Sequence, residues 1–217
     1  MNKTVEMFPF SAIIKLNEWI GGGNIYKLCK TEQSAARQRL LEEGLMSVML
    51  TKRYDEISVS DLCDDLAIPR KSFYRYFSSK DGALHALIDH TLMGFEGFTI
   101  PYRRGTSRTL QGELEGFFQF WIHHKALLDA LARSGMSGVL IERSISHALS
   151  ETVMPARFLP KDSKEMQKQI TMFGVCGLMS MVLTWHHDGY PQSASQMARI
   201  ATRLLEQPLF PNADSYL

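Results

Sequence analysis

Residues 69 to 80 read PRKSFYRYFSSK and hold four cations and no acid. Arg70, Lys71, Ser72, Tyr74 and Arg75 crowd into six positions. These side chains donate hydrogen bonds to base edges and to phosphate oxygens. The surrounding segment is not basic. Residues 34 to 100 carry eight Lys/Arg against ten Asp/Glu, a net of −2. A focused cationic patch on an acidic surface suits a site that meets one polyanion in one orientation. For charges alone, a solvated helix face is the ordinary reading. What favours recognition is the order of the elements around the patch.

Those elements are two short helices and a turn within residues 58 to 77, SVSDLCDDLAIPRKSFYRYF. Ser58 can cap the first helix, with Asp61 as the acidic half of a capping box. Leu62 and Leu66 lie one turn apart and make its buried stripe. Ala67 and Ile68 form the corner. Pro69 suits the first position of a new helix, where a missing N–H is harmless. Phe73 and Phe77 then face inward, which leaves Arg70, Lys71 and Arg75 outward. A short helix with donors on its exposed face fits the major groove of B-DNA.

Residues 35 to 95 resemble the DNA-binding domain of the TetR family of bacterial transcriptional regulators. The matching signs are Ser58-Val59-x-Asp61-Leu62, Ala67-Ile68, Tyr74-x-Tyr76-Phe77 and Ser79-Lys80-Asp81-x-x-Leu84. Two positions depart from the pattern. Ala67 stands where the family often has Gly, and Pro69 where it often has a Ser or Thr cap. Ala is tolerated if the corner avoids positive φ. The resemblance implies a DNA-binding set of Ser58, Ser60, Arg70, Lys71, Ser72, Tyr74, Arg75, Tyr76 and Lys80. Within it, Arg70 and Lys71 are expected at base edges, and Tyr74, Tyr76 and Lys80 at phosphates.

Composition removes other classes. The 217 residues allow a small head on a larger body. Net charge is +1, so global charge names no partner. Cys29, Cys63 and Cys176 show no CxxC spacing, which points to a reducing cytoplasm. The first residues, MNKTVEMFPFSAIIK, lack the apolar core and cleavage site of a signal peptide. Residues 169 to 187 carry no formal charge, yet they include Gln, Thr, Gly, Ser and two His. A helix buried on two faces explains them better than a membrane span. The pairs His123-His124 and His186-His187 invite a metal reading. Adjacent helical residues point about 100° apart, so one pair chelates poorly. No nucleophile elbow, phosphate loop, HExxH or zinc-finger spacing occurs, so neither metal nor cofactor is expected.

The expected architecture is all-α: a three-helix helix-turn-helix head followed by a helical body for effector binding and dimerisation. Residues 1 to 33 form an extension with a short helix and a Gly21-Gly22-Gly23 hinge. Residues 34 to 80 form the DNA-binding domain and 81 to 217 the body. Helices are expected near 35–51, 58–66, 69–77, 80–98, 108–132, 138–153, 163–187 and 193–206. Ala36, Leu40, Leu41, Gly44, Leu45 and Val48 make the inner face of the first. Ile141, Ile145 and Leu149 do so for the helix at 138–153. Residues 99 to 107 and 154 to 162 are loops.

Two-fold pairing through the last two helices is expected to use Phe173, Gly174, Gly177, Met181, Met197, Ile200 and Leu204. The family likeness further implies an effector pocket within residues 92 to 187. Its candidates are Phe95, Phe98, Tyr102, Phe117, Phe120, Trp121, Met136, Phe158, Met172, Phe173, Met179 and Trp185. An aromatic or Met stripe is more often core than pocket, so only some of these can line a cavity. The reading is a homodimeric repressor with double-stranded operator DNA and a small apolar effector as partners, and no membrane. Two alternatives stay open. One is a DNA-binding regulator controlled by a protein partner, engaged through residues 1 to 33. The other is a helical metal-dependent enzyme using His123, His124, His186 or His187.

Overall fold

The computed structural model describes residues 25–27, 29–105, 109–150 and 163–207. The expected helix and glycine hinge within residues 1 to 24, and the loop at 154–162, lie outside them. The fold is all-α. Among the described residues there are nine α-helices and one 3-10 turn, and the sole extended pairing is an isolated bridge. No helix among them is long and apolar enough to cross a membrane.

Five of the helices begin where a Ser or Thr side-chain oxygen takes up a free backbone N–H group. Thr31 caps α1, Glu32–Met49. Ser58 caps α2, Val59–Asp65, with the expected capping box closed by Asp61. Pro69 precedes α3, Arg70–Tyr74, which is only five residues long. Helix α4 spans Lys80–Gly105, α5 Leu110–His123, α6 Lys125–Arg133 and α7 Ser137–Ser150. Helix α8 covers Lys164–His187, and α9 covers Ala194–Glu206 with a Ser193–Gln196 capping box.

Several boundaries and faces differ from expectation. Helix α4 continues through Pro101, so residues 99 to 105 are helical rather than a loop. The long helix expected at 108–132 breaks at His124, which ends α5 before α6 begins. In α1 the buried face is Ala35, Gln38, Leu41, Glu42, Leu45 and Met49, while Ala36 and Leu40 face solvent. That face buries Gln38 and Glu42 because partners wait there, which apolar periodicity alone does not reveal. In α7 the inward positions are Leu140, Ser144 and Ala148, one residue before the expected stripe.

The chain packs as two units. One comprises the described residues up to Gly94 together with Asp129–Arg143, and the other comprises Phe95–Leu128 with Ser144 onward. In the first, Leu45, Met49, Leu62, Phe73, Phe77, Leu84 and Ile88 are fully buried. Each such side chain contributes about 1.5–3 kcal/mol. In the second, α9 packs along α5. Phe118 meets Trp185 edge-on at 5.5 Å there.

Candidate nucleic-acid interface

The helix-turn-helix is fixed from both ends. Ser58 Oγ accepts from the Asp61 N–H at 3.1 Å, and Asp61 Oδ2 accepts from the Ser58 N–H at 3.1 Å. The Ser58 hydrogen bonds hold the Asp61 carboxyl below the usual carboxylate range. At the corner, the Ile68 N–H reaches Cys63 O at 2.9 Å and the Ala67 N–H reaches Asp64 O at 3.1 Å. This pair of bonds is a Schellman motif, whose C′ residue is left-handed. Ala67 has φ 52°, so the corner does not avoid positive φ and Ala67 sits there under strain.

Phe73 and Phe77 stack inward at 5.1 Å between centroids, as the spacing predicts. With Phe73 fully buried, Arg70, Lys71, Tyr74 and Arg75 turn to solvent, and Tyr74 is 57% exposed. Ser60 and Ser72 are half-buried, and Ser58 faces solvent with its hydroxyl engaged in the cap.

Two members of the expected set are placed differently. Tyr76 is only 4% exposed and packs beside Phe77 at 6.3 Å, so its ring belongs to the core. Lys80 turns back on the protein. Its Nζ donates to Tyr54 O and, at 2.5 Å, to Ile57 O, and it lies 4.1 Å over the Tyr54 ring. Burial lowers the Lys80 pKa, opposed by Asp81 and Asp55. Tyr54 completes the clamp by donating its hydroxyl to Asp81 at 2.6 Å. Lys80 therefore locks the turn before α2 to the start of α4. A lysine opening a helix reads as a free cation in sequence because carbonyls that capture it leave no sequence signal.

A strap with no local sequence signal flanks the helix-turn-helix. Residues 25 to 27 run antiparallel to the segment that follows α3, with Tyr26 bridged to Phe77. The Lys27 N–H donates to Tyr76 O at 2.7 Å, and the Ser78 N–H donates to Ile25 O at 3.1 Å. A Cβ on Gly82 would stand 2.2 Å from Ile25 O, so only glycine admits this approach. The strap takes backbone groups that a longer helix would have used, which is why α3 stops at Tyr74 rather than at Phe77.

The strap is held by a buried polar group. Tyr26 donates to Asp89 at 2.6 Å, and Arg143 donates through Nε and Nη2 to both Asp89 oxygens, the former at 2.7 Å. Burial, then the Asp89 charge and hydrogen bond, keep the Tyr26 hydroxyl protonated. Beside it, His90 Nδ1 lies 2.8 Å from Glu42 Oε2. Burial pulls the His90 pKa down, but Glu42 and Asp89 overcome this and the net direction is up.

In the second unit, five expected pocket residues come together. Phe95, Phe98, Phe117, Phe120 and Trp121 form a chain of edge-on rings with centroids 5.2–6.4 Å apart. Trp185 and Met179 are buried, and Met172 is half-buried. Met136 is half-buried in the first unit. The Tyr102 side chain and Phe158 lie outside the described residues. Phe173 is 67% exposed, which removes it from any interior cavity of the protomer. Of the expected interface residues, Phe173, Gly177, Ile200 and Leu204 face solvent. Met181 is half-buried, while Gly174 and Met197 turn into the protomer.

His123 and His124 lie edge-on at 5.1 Å, and burial followed by the His123 charge lowers His124 to about 4. Among the described residues no group of three or more His, Cys, Asp or Glu could hold a metal ion.

No family model matches the chain. It is 35% identical over 96 residues to the HTH-type transcriptional regulator EthR of Mycolicibacterium smegmatis (strain ATCC 700084 / mc(2)155). That match covers 42% of this chain and 41% of the relative, so the chain spans less than half the length of the curated protein it matches. The solved structure of the dihydroxyacetone kinase operon activator DhaS superposes with a TM-score of 0.50 at 15% identity. The superposition covers 79% of this chain and 95% of that one, a likeness of fold. EthR is a TetR-family regulator, and the likeness to that family read from the head sequence is borne out.

Proposed function

We propose that the chain is a sequence-specific DNA-binding transcriptional regulator, a homodimeric cytoplasmic repressor released from its operator by a small apolar effector. Residues 34 to 80 are its DNA-binding domain and 81 to 217 its effector and dimerisation body. The observation that carries the reading is the capped corner that buries Phe73 and Phe77 and so aims Arg70, Lys71, Tyr74 and Arg75 outward together. A five-residue helix offers few side chains to a groove. Arg70 and Lys71 at its start reach base edges, with Tyr74 and Arg75 on flanking phosphates.

Two-fold pairing is supported by apolar side chains that the protomer leaves uncovered. Phe173, Ile200 and Leu204 on α8 and α9 are 67%, 44% and 45% exposed. Gly177 on α8 has no atom within 4 Å of a built Cβ, which leaves room for a close helix partner. Pairing there presents two heads to half-sites one helical turn, or a multiple of it, apart. The ring cluster of Phe95, Phe98, Phe117, Phe120 and Trp121 supports an aromatic or apolar effector. Such a ligand acts only through its preference for the DNA-incompetent state.

The test is selection of bound sequences from random duplexes with wild-type protein and Arg70→Ala. Losing one bidentate base contact costs about 1–3 kcal/mol and relaxes preference at the contacted base. An unchanged selection profile for Arg70→Ala refutes the base-reading assignment.

A further inference from the structure

We infer that the strap preceding α1 is a second DNA-contacting element, in which Lys27 adds a backbone phosphate contact at the edge of the recognition helix. The inference rests on the regulator reading above and extends the interface to a segment outside the helix-turn-helix. The strap is built into the head at three points. Its backbone pairs with Tyr76 and Ser78, its Ile25 carbonyl presses on Gly82, and its Tyr26 side chain is buried and bonded to Asp89.

Adjacent residues of an extended segment point to opposite sides. With Tyr26 directed into the core, Lys27 leaves on the solvent side, and it is exposed. Its N–H bonds the carbonyl of Tyr76, the residue next to exposed Arg75. No ion pair joins Lys27 to another described residue. The strap thus sets a cation, on backbone bonded to Tyr76, where the patch of Arg70, Lys71 and Arg75 ends. Lys80 is diverted to carbonyls, so Lys27 supplies the charge that Lys80 withholds. A lysine so placed recognises the sugar-phosphate backbone of duplex DNA and carries no base information.

The test is a salt titration of DNA affinity, by fluorescence anisotropy, on a selected duplex and on its scrambled counterpart. It uses the full chain as wild type, Lys27→Ala, Lys27→Arg and, as a control on the exposed start of α8, Lys164→Ala. Lys27→Ala is expected to weaken both duplexes by the same factor. Its log–log salt slope should fall by about 0.9, so that the affinity lost between 50 and 200 mM salt shrinks about 3.5-fold. Lys27→Arg should restore the slope, and Lys164→Ala should not move it. In a Gly82→Ala background, where the added Cβ displaces the strap, Lys27→Ala should cost little more. A wild-type slope in Lys27→Ala overturns the inference and leaves the regulator reading standing. Loss confined to the selected duplex overturns the phosphate assignment. A wild-type protein that binds neither duplex overturns both readings.

Discussion

Replacing Ala67 by glycine should stabilise the protein and leave its DNA contacts in place. Among the described residues the same Schellman closure occurs three times. At α6 the Met136 N–H reaches Leu131 O at 2.9 Å and the Gly135 N–H reaches Ala132 O at 3.1 Å. At α8 the Tyr190 N–H reaches Trp185 O at 2.9 Å and the Gly189 N–H reaches His186 O at 3.1 Å. In both, the residue at the position of Ala67 is glycine, with φ 67° and 75°, and Tyr190 after Gly189 is left-handed as well, at φ 60°. At the helix-turn-helix corner it is Ala67, with φ 52°. A left-handed L-residue costs about 1–2 kcal/mol. Glycine removes that cost and reintroduces about 0.5–1 kcal/mol of chain entropy. Ala67 is exposed, so its methyl gives up no packing. The net expectation is a gain of about 0.5–1 kcal/mol, or roughly 1–4 °C in Tm for a chain of this size. Urea unfolding of Ala67→Gly beside Gly135→Ala and Gly189→Ala measures it. The two glycine variants should lose what Ala67→Gly gains, because nothing lies within 4 Å of a Cβ built at either. A lower urea midpoint for Ala67→Gly, with an unchanged slope, refutes the strain account.

Gly177→Glu should leave the protomer folded, since its surroundings are open, yet yield monomers in sedimentation that bind DNA poorly. The Glu42–His90 pair should give the head a stability that declines with rising pH. His90 has a raised pKa when folded, so its contribution is full below its ordinary value of 6.5 and is lost as pH climbs through the folded value. His90→Gln should flatten that limb of a urea-midpoint-against-pH curve. Asp89→Ala should destabilise by about 3–5 kcal/mol, because it removes the buried carboxylate to which Tyr26 and Arg143 both donate, and amide exchange at Tyr26 and Lys27 should quicken as the strap loosens.

The helix-turn-helix was legible in the sequence because its signals are local. Ser58 and Asp61 lie three residues apart, Leu62 and Leu66 and likewise Phe73 and Phe77 lie four apart, and Arg70 and Lys71 follow a proline. The strap was not legible, because its partners are Phe77, Gly82 and Asp89, more than fifty residues along the chain. The same distance effect hides the fate of Lys80, whose partners Tyr54 and Ile57 precede it by more than twenty residues. The inward face of α1 was misread for a related reason. Glu42 is buried against His90, and a pattern that scores only apolar residues cannot place a buried acid. In the body, aromatic spacing points to the ring cluster but also to Phe173, whose solvent-facing position on α8 no local pattern encodes.

On the proposed function, two copies of this chain read a two-fold DNA sequence through Arg70 and Lys71. Selection of random duplexes by the wild-type protein, followed by light scattering of the complex, tests it most directly. An enriched inverted repeat is expected, with half-site centres a multiple of about ten base pairs apart, bound by an even number of protomers. Enrichment of no sequence, at an affinity that merely follows salt, contradicts it.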